Sequence, residues 1–342
     1  MLTENELNEI RSYLKKSNNP LFLFDDDGDG LCAYLLLKKY YKKGKGSPIR
    51  TAGPLDSKYI VYIDEEKPDL LVILDKAIVK QEFINELSCE VIYIDHHPIQ
   101  KLEKVKYYNP LIHNKKLYIP TSYMCYKVVN DNMWIAAVGC LFDYQSPDFL
   151  KEFIKEYPDI LNKINKDPGY TLFKTTLGKL VKIFAFNMKG KYSEVKKSIE
   201  HIEKIESPYE ILNQTTENGK FIHSRYEKLN KEYEVLLSRA KNCADETNVL
   251  LFEYPSTKVS YTQYLSTELS YLYKDKTIIV AREKESEMKI SLRNQKINIA
   301  KVLAKALEGL KGYGGGHEHA CGASIDKKDF EKLIERIKEL TK

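Results

Sequence analysis

Seven residues carry the clearest signal of the fold: Val91-Ile92-Tyr93-Ile94-Asp95-His96-His97, an apolar run that ends in a carboxylate and two imidazoles. Two earlier runs have the same form, because residues 21–24 (LFLF) lead into Asp25 and residues 70–74 (LLVIL) lead into Asp75. Short apolar runs rich in β-branched and aromatic residues predict buried strands. In an open parallel sheet the carboxyl ends of the strands face one crevice. We therefore expect the polar residues that follow the three runs to converge.

Carboxylates are crowded after the first of these runs, where Asp25, Asp26, Asp27 and Asp29 place four like charges within five residues. Such crowding raises carboxylate pKa values and costs stability unless cations lie among them. Taken singly, an Asp after a strand is usually a turn or helix-cap residue. Together, Asp and His side chains at one sheet edge favour a site for divalent metal ions. Asp26 points away from its neighbours in an extended segment, so we expect it to be solvated or to lie behind the ligands.

The composition is that of a soluble globular protein of two-domain size. The chain has 342 residues, of which 43% are hydrophobic and 30% charged. Its net charge of +5, from 54 basic against 49 acidic residues, neither requires nor excludes a polyanionic partner. None of the six cysteines has CxxC spacing, so we expect buried thiols in a reducing cytoplasm. The N-terminus is too polar for a signal peptide, and no apolar run approaches the ~20 residues of a membrane span, so we expect no membrane partner.

The pattern of apolar residues divides the chain into three predicted parts. Residues 1–145 alternate strand-like and helix-like stretches, which is typical of a parallel sheet, and one helix is expected from about Leu31 to Tyr41. Residues 146–245 are helical and charge-laced, without a chemical motif, and form a predicted connector. Residues 246–342 return to strand patterns. The expected fold class is therefore α/β, with a parallel-sheet domain, a helical connector, a smaller α/β domain and a cleft between the two α/β domains.

A second polar motif, Gly314-Gly315-Gly316-His317, lies in the C-terminal part. Consecutive glycines can adopt positive φ angles, and their successive N–H groups can form a concave anion site. His317 would add a donor there, and Arg293 at the end of an upstream strand would make a bidentate phosphate contact. The alternative is a flexible turn before a strand at residues 321–326. With Arg293 nearby, we expect a loop that binds phosphate.

Taken in order, these motifs resemble those of the DHH–DHHA1 phosphoesterase superfamily. The similar segments are Asp-x-Asp-x-Asp-Gly at residues 25–30, the strand-terminal Asp75, Asp-His-His at residues 95–97 and Gly-Gly-Gly-His at residues 314–317. Within the superfamily the chain most resembles the RecJ-like nucleases, particularly their stand-alone archaeal relatives. The resemblance covers residues 20–145 and about 249–330.

The resemblance extends beyond the four motifs but has departures. Residues 108–110 and 119–128 are similar to family segments, and residues 136–143 place Asp143 at the fourth acidic position. Lys76 follows the second motif where relatives usually have Asn-Gly or Gly-Ser. It could shield a carboxylate, contact a phosphate or point away. Leu23 stands where some relatives have a histidine, and Asp25 is the candidate replacement.

The resemblance implies ligands for two Mn²⁺ ions, which Mg²⁺ or Co²⁺ could replace. One ion would take Asp25, Asp27 and Asp75. The other would take Asp29, Asp75, His96 and Asp143, so that Asp75 bridges both. Carboxylates with one imidazole suit Mn²⁺ or Mg²⁺ better than Zn²⁺. His97 is implied to donate to the phosphate or the nucleophile, and Asp95 to support the histidine pair. The implied substrate-binding residues are Arg293, Gly314, Gly315, Gly316 and His317.

The implied activity is two-metal-ion hydrolysis of phosphodiester bonds in single-stranded DNA or RNA, as in a RecJ-like exonuclease. The alternative is a phosphodiesterase for short oligonucleotides or cyclic dinucleotides, of the nanoRNase or cyclic di-AMP phosphodiesterase type. A chain that ends soon after the glycine motif favours simpler substrates, or a replication or repair partner protein that supplies the nucleic-acid track. A third hypothesis is an inactive scaffold of a replication complex, against which the intact ligand set argues.

Overall fold

The computed structural model of the chain describes residues 1–51 and 53–342. They form two compact units, Met1–Ser224 and Arg225–Lys342. Each unit contains a five-stranded sheet, and the mixed α/β class expected from the sequence is confirmed. The helical segment predicted over residues 146–245 is divided between the two units, because residues 146–224 belong to the first.

A parallel sheet forms the centre of the first unit. In chain order its strands are β1 (Pro20–Asp25), β2 (Lys45–Ile49), β3 (Leu70–Leu74), β4 (Glu90–Ile94) and β5 (Lys106–Tyr108). Their spatial order is β2-β1-β3-β4-β5, and all pairs are parallel. The three strands predicted before the acidic motifs are therefore neighbours. Phe24 in β1 lies opposite Leu74 in β3, which lies opposite Ile94 in β4, so the residues that follow all three strands meet at one edge.

Helices cover both faces of this sheet. The helices of the first unit are α1 (Glu4–Lys16), α2 (Gly28–Tyr41), α3 (Ile60–Glu66), α4 (Gln81–Glu86), α5 (Thr121–Val129), α6 (Met133–Phe142), α7 (Leu150–Glu156), α8 (Pro168–Lys174), α9 (Thr176–Asn187), α10 (Tyr192–Ile202) and α11 (Pro208–Leu212). Phe24 stacks on Tyr34 of α2 on one face, whereas Leu23 packs with Phe83 of α4 on the other. Strands buried on both faces are apolar along their whole length, which explains the uninterrupted apolar runs in the sequence.

The second unit has a mixed sheet. Its strands are β6 (Val249–Tyr254), β7 (Thr277–Lys284), β8 (Glu287–Arg293), β9 (Gly312–His317) and β10 (Ala320–Asp326), in the spatial order β6-β7-β8-β10-β9. Only the β6–β7 pair is parallel. Its helices are α13 (Thr262–Leu272), α14 (Ile299–Leu307) and α15 (Phe330–Leu340), while α12 (Glu217–Lys241) runs across the boundary between the units. Among the described residues, no helix is long and apolar enough to span a membrane.

Candidate metal centre

Three carboxylates lie at the carboxyl edge of the parallel sheet because of where the strands end. Asp25 is the last residue of β1, Asp75 follows β3 directly, and Asp95 follows β4 directly. The backbone N–H of Asp75 donates to the carbonyl of Ile94, which extends the hydrogen bonding between β3 and β4 by one residue. Asp75 then turns the chain with a φ of 60°, a left-handed conformation that Asp tolerates better than most residues. The convergence expected from the sequence is therefore observed.

Two more carboxylates come from the start of α2. Asp27 caps this helix by accepting a hydrogen bond of 3.0 Å from the N–H of Gly30. The cap explains why α2 begins at Gly28, before the predicted start near Leu31. Asp29 lies in the first turn of α2 and is fully buried. It accepts hydrogen bonds from the N–H groups of Thr121 and Ser122 at 2.6 and 3.0 Å. The start of α5 thus holds Asp29 in place.

His96 is at the centre of the cluster. Its Nε2 atom lies 3.2 Å from Oδ1 of Asp75 and 3.4 Å from Oδ2 of Asp143, the residue that ends α6. Two sets of three side chains each offer ligand atoms within 4.8 Å of one another: Asp75, His96 and His97 form one set, and Asp29, His96 and Asp143 form the other. Both sets include His96, so the sheet edge offers a concentrated set of oxygen and nitrogen donors around this imidazole.

His97 has a different environment from His96. Its Nδ1 atom lies 2.8 Å from Oδ1 of Asp95, and its backbone N–H donates to the other oxygen of that carboxylate at 3.1 Å. Asp95 is completely buried and also accepts a hydrogen bond of 3.3 Å from the hydroxyl of Tyr107. Burial lowers the pKa of His97, but the hydrogen bond to Asp95 and the charges of Asp95, Asp143 and Asp27 together outweigh it and raise that pKa above the usual value. Asp95 therefore orients the His97 ring and favours its protonated form.

The carboxylates of the cluster bind protons unusually well. Burial raises the pKa of Asp27 and of Asp143 to about 7, and it holds the pKa values of Asp29 and Asp75 well above their usual range. Repulsion among the carboxylates themselves adds to the effect in each case. A group of buried carboxylates that repel one another is stabilised by a cation, and oxygen donors with one imidazole fit Mn²⁺ or Mg²⁺. The donors around His96 therefore fit a divalent ion of the kind implied by the sequence.

Basic side chains lie beside the first two aspartates of the acidic motif. The ammonium Nζ of Lys76 is 2.8 Å from Oδ1 of Asp25, so of the three alternatives for Lys76 the structure shows that it shields a carboxylate. Asp26 is paired with Arg50, whose Nε donates to it at 2.8 Å. Burial raises the pKa of Asp26 to about 6. Asp26 therefore lies beside the cluster in an ion pair, and it belongs to neither set of donors around His96.

Sequence reasoning missed two side chains of the site. The hydroxyl of Tyr118 donates to Oδ2 of Asp143 at 3.3 Å, and its ring contacts that of His96 with 5.1 Å between centroids. The hydroxyl of Thr121 donates to Oδ1 of Asp75 at 3.1 Å. Thr121 lies in a segment that resembles the family, which was an available signal. Tyr118 lies just outside that segment, in a chain with 25 tyrosines, and nothing in the sequence distinguished it.

In the second unit the glycine motif has a different structure from the one expected. Gly314, Gly315, Gly316 and His317 belong to the exposed edge strand β9, which pairs with β10. The prediction of a loop at this motif is therefore wrong, because antiparallel pairing with β10 keeps the segment extended. Gly316 has a φ of 150°, and a Cβ atom there would lie 2.3 Å from the carbonyl oxygen of Ala320. A glycine is needed at this position for the two strands to approach.

Arg293 is the last residue of β8, as the sequence predicted, and lies across β10 from the glycine strand. Ala320 pairs with Arg293 on one side and with His317 on the other. The Arg293 guanidinium donates to the carbonyls of Leu292 and Cys321 at 2.8 and 3.2 Å. Burial lowers the pKa of Arg293 to about 10. The motif residues and Arg293 thus share one end of the sheet, separated by a single strand.

Comparisons with known proteins agree with this architecture. Residues 21–161 match the model of the DHH family, N-terminal domain, and residues 255–342 match the model of the DHHA1 domain. No protein with a curated description matches the sequence at a significant level.

Solved structures of similar fold include two RecJ proteins and one phosphodiesterase. RecJ of Thermus thermophilus in complex with Mn²⁺ has a TM-score of 0.72 at 15% identity, over 100% of this chain and 55% of that chain. The present chain therefore spans about half the length of that protein. An exonuclease RecJ bound to manganese has a TM-score of 0.66 at 15% identity, over 100% of this chain and 95% of that one. The pGpG-specific phosphodiesterase PggH of Vibrio cholerae has a TM-score of 0.51 at 13% identity, over 94% of this chain and 98% of that one. With an N-terminal DHH domain, a C-terminal DHHA1 domain and a fold like that of RecJ, the chain belongs to the DHH/DHHA1 superfamily of phosphoesterases.

Proposed function

We propose that the protein hydrolyses phosphodiester bonds in single-stranded nucleic acid, as a Mn²⁺-dependent exonuclease of the RecJ type. The observation that carries the proposal is the set of buried carboxylates around His96, at the edge where β1, β3 and β4 end. Such a set is costly to the fold without cations, so its presence favours a metal-dependent reaction. The RecJ structures similar in fold were solved with Mn²⁺ or Mg²⁺, which supports the same choice of metal.

The side chains have distinct proposed roles. Asp29, Asp75, His96 and Asp143 would hold a divalent ion, and the family resemblance implies a second ion that shares Asp75 with Asp25 and Asp27. A bound divalent ion lowers the pKa of its water and stabilises charge on the reacting phosphate oxygens. Because Nδ1 of His97 is held by Asp95, the opposite ring nitrogen is the one that would donate to a phosphate oxygen or the nucleophile. The hydrogen bond from Thr121 keeps the Asp75 carboxylate oriented.

The second unit is proposed to bind the substrate away from the reacting phosphate. The edge strand β9 is exposed at every residue, and an edge strand presents main-chain N–H groups that are not used in the sheet. Gly314, Gly315 and Gly316 would bring this backbone close to a phosphate. His317 and Arg293 would add side-chain N–H donors, although Arg293 must exchange contacts with backbone carbonyls to do so.

A second candidate function is hydrolysis of short oligonucleotides or cyclic dinucleotides. It is favoured by the similarity in fold to a pGpG-specific phosphodiesterase, which extends over nearly the whole of both chains. An inactive scaffold is disfavoured, because the buried carboxylates would then destabilise the protein without a compensating role. A replication or repair partner that extends the nucleic-acid track is part of the exonuclease proposal.

One assay tests these proposals together. The protein is incubated with Mn²⁺ and end-labelled single-stranded DNA or RNA of about 20 nucleotides, a linear dinucleotide and a cyclic dinucleotide. Asp75→Asn is the inactive control, and Asp159→Asn, at an exposed aspartate of the same unit, is the matched control that should retain activity. Shortening of the long substrates from one end supports the exonuclease, whereas hydrolysis of the dinucleotides alone supports the second candidate. Absence of hydrolysis for every substrate would contradict both.

A further inference from the structure

Lys76 is the position at which the acidic cluster departs from the pattern of its family, and its contacts are specific. It follows Asp75 directly, and its ammonium Nζ reaches Asp25 Oδ1 at 2.8 Å and the carbonyl oxygen of Thr51 at 3.0 Å. The Lys76 side chain is only 7% exposed. A lysine ammonium is seldom buried to this extent without a partner of opposite charge. Asp25 is that partner.

The backbone at Lys76 is held on several sides, which fixes where the side chain can go. The buried hydroxyl of Tyr93 donates to the Lys76 carbonyl, and the Tyr93 ring stacks on Tyr107 with 4.6 Å between centroids. Gln100 donates to the carbonyl of Ala77 at 3.1 Å and to the Tyr93 hydroxyl at 3.2 Å. Lys76 therefore extends toward Asp25 from a backbone that these hydrogen bonds hold, and moving its side chain away would break the ion pair with Asp25.

The side chains that can bind one cation together are grouped around His96, and Asp25 is not among them. Each of the two donor sets found in the described ranges 1–51 and 53–342 is centred on His96, and neither includes Asp25 or Asp27. Asp27 already accepts the hydrogen bond from Gly30 that caps α2. Near Asp25, therefore, both carboxylates already have partners. Asp25 is paired with the Lys76 ammonium, and Asp27 caps the start of α2.

We propose that the Lys76 ammonium takes the place of a divalent ion at Asp25, so that the free protein binds one divalent ion, on the His96 side. The inference rests on the proposed function only in that the cluster must bind metal. An ion bound to Asp25 Oδ1 at ~2.2 Å would lie at most about 5 Å from Nζ of Lys76. Two cations so close in a partly buried site repel each other strongly. In this chain the positive charge beside Asp25 therefore comes from Lys76, whereas the family resemblance implies that in its relatives it comes from a metal ion.

The test is the number of Mn²⁺ ions bound by the free protein, measured by isothermal titration calorimetry and by electron paramagnetic resonance, which detects coupled pairs of Mn²⁺. The wild type should bind one ion and give no signal of a coupled pair. Lys76→Met, which keeps much of the side-chain volume and removes the charge, should bind two ions and give that signal. Lys39→Met is the matched control, because the Lys39 side chain is also buried, at 5% exposure, and pairs with Glu206 far along the chain. It should bind one ion.

A second pair of variants tests the inference even if Lys76→Met does not fold. Asp25→Asn should still bind one ion, with a Kd within about threefold of the wild type, whereas Asp143→Asn should weaken binding at least about tenfold. Two ions in the wild type, or loss of an ion in Asp25→Asn, would overturn the role of Lys76 and leave the proposed function intact. No ion in the wild type would overturn the inference and the metal-dependent function together.

Discussion

His96 Nε2 lies 3.2 Å from Asp75 Oδ1, which is close to the separation of two neighbouring ligands on one octahedral ion. With metal–ligand distances of about 2.1–2.3 Å, two ligands at a right angle are about 3 Å apart. Asp143 Oδ2, at 3.4 Å from the same nitrogen, has a similar spacing. Each of these two contacts is therefore spaced like a pair of neighbouring metal ligands, while Asp75 and Asp143 belong to separate donor sets that share His96.

Metal binding should stabilise the fold, because an ion relieves repulsion among buried carboxylates. At a free Mn²⁺ concentration of a hundred times Kd, the free energy of unfolding should increase by about 2.7 kcal/mol. Thermal unfolding with Mn²⁺ and with a chelator measures the change. Asp143→Asn should lose most of this shift and should melt higher than the wild type in chelator, since it removes one of the repelling charges. A wild-type Tm that does not respond to Mn²⁺ would contradict the prediction.

Asp75→Asn should be among the most damaging changes to activity, because Asp75 is a proposed metal ligand whose Oδ1 lies 3.2 Å from His96 Nε2. We expect kcat/KM to fall on the order of 100-fold or more, the scale of losing a key charge at a reacting centre. Asp26→Asn should be mild, since Asp26 is paired with Arg50 beside the cluster. Equal losses in the two variants would show that the roles within the acidic motif are assigned wrongly.

Tyr118→Phe tests a contact that sequence reasoning did not find. It removes the hydroxyl that donates to Asp143 but keeps the ring against His96. Mn²⁺ affinity should fall by up to about tenfold, as for other groups that orient a metal ligand. Tyr123→Phe is the matched control, because its hydroxyl donates to Asp148, outside the cluster, at 2.8 Å. Calorimetry with Mn²⁺ compares the two, and an equal response from both would rule out a role for the Tyr118 hydroxyl.

Arg293→Ala should weaken substrate binding and leave metal binding unchanged. The expected loss in kcat/KM corresponds to ~1.5–3 kcal/mol, the scale of a charge-assisted hydrogen bond. Arg336→Ala is a suitable control, because Arg336 also donates to backbone carbonyls of the second unit, at Ala306 and Glu308. A defect that shrinks with longer substrates favours the short-substrate candidate, and one that persists favours the exonuclease. Loss of Mn²⁺ binding with an unchanged KM would refute the assignment.

Gly316→Ala should destabilise the second unit and Gly315→Ala should not. A Cβ at Gly316 would collide with the Ala320 carbonyl, at a φ of 150° that other residues rarely adopt, whereas a Cβ at Gly315 would meet nothing within 4 Å. We expect a loss of about 1–3 kcal/mol for the first change, the usual cost of such backbone strain. Denaturant unfolding measures it. Equal stability of the two variants would mean that β9 does not pair as described.

The convergence of the acidic motifs was predictable because it follows from strand geometry. Once residues 21–24, 70–74 and 91–94 are parallel strands, their carboxyl ends must face one edge, and Asp75 and the histidine pair lie there. The position of Asp143 came from a resemblance, since nothing local marks the end of α6 as part of the site.

Other features depended on contacts between distant parts of the chain. Glycines have low β propensity, so the local sequence of residues 314–316 indicated a loop, but pairing with β10 makes the segment a strand. The partner of Lys76 could not be chosen from sequence, because Asp25 lies 51 positions away and only the adjacency of β1 and β3 brings them together. The contact of Tyr118 with Asp143, 25 positions along the chain, was missed for a similar reason.

The most direct test of the metal centre is anomalous diffraction from crystals of the free protein soaked in Mn²⁺, recorded at the manganese absorption edge. A peak within coordination distance of His96 Nε2, Asp75 and Asp143 is the predicted result. A cluster that shows no peak under saturating Mn²⁺, or a peak that lies away from His96, would contradict the account.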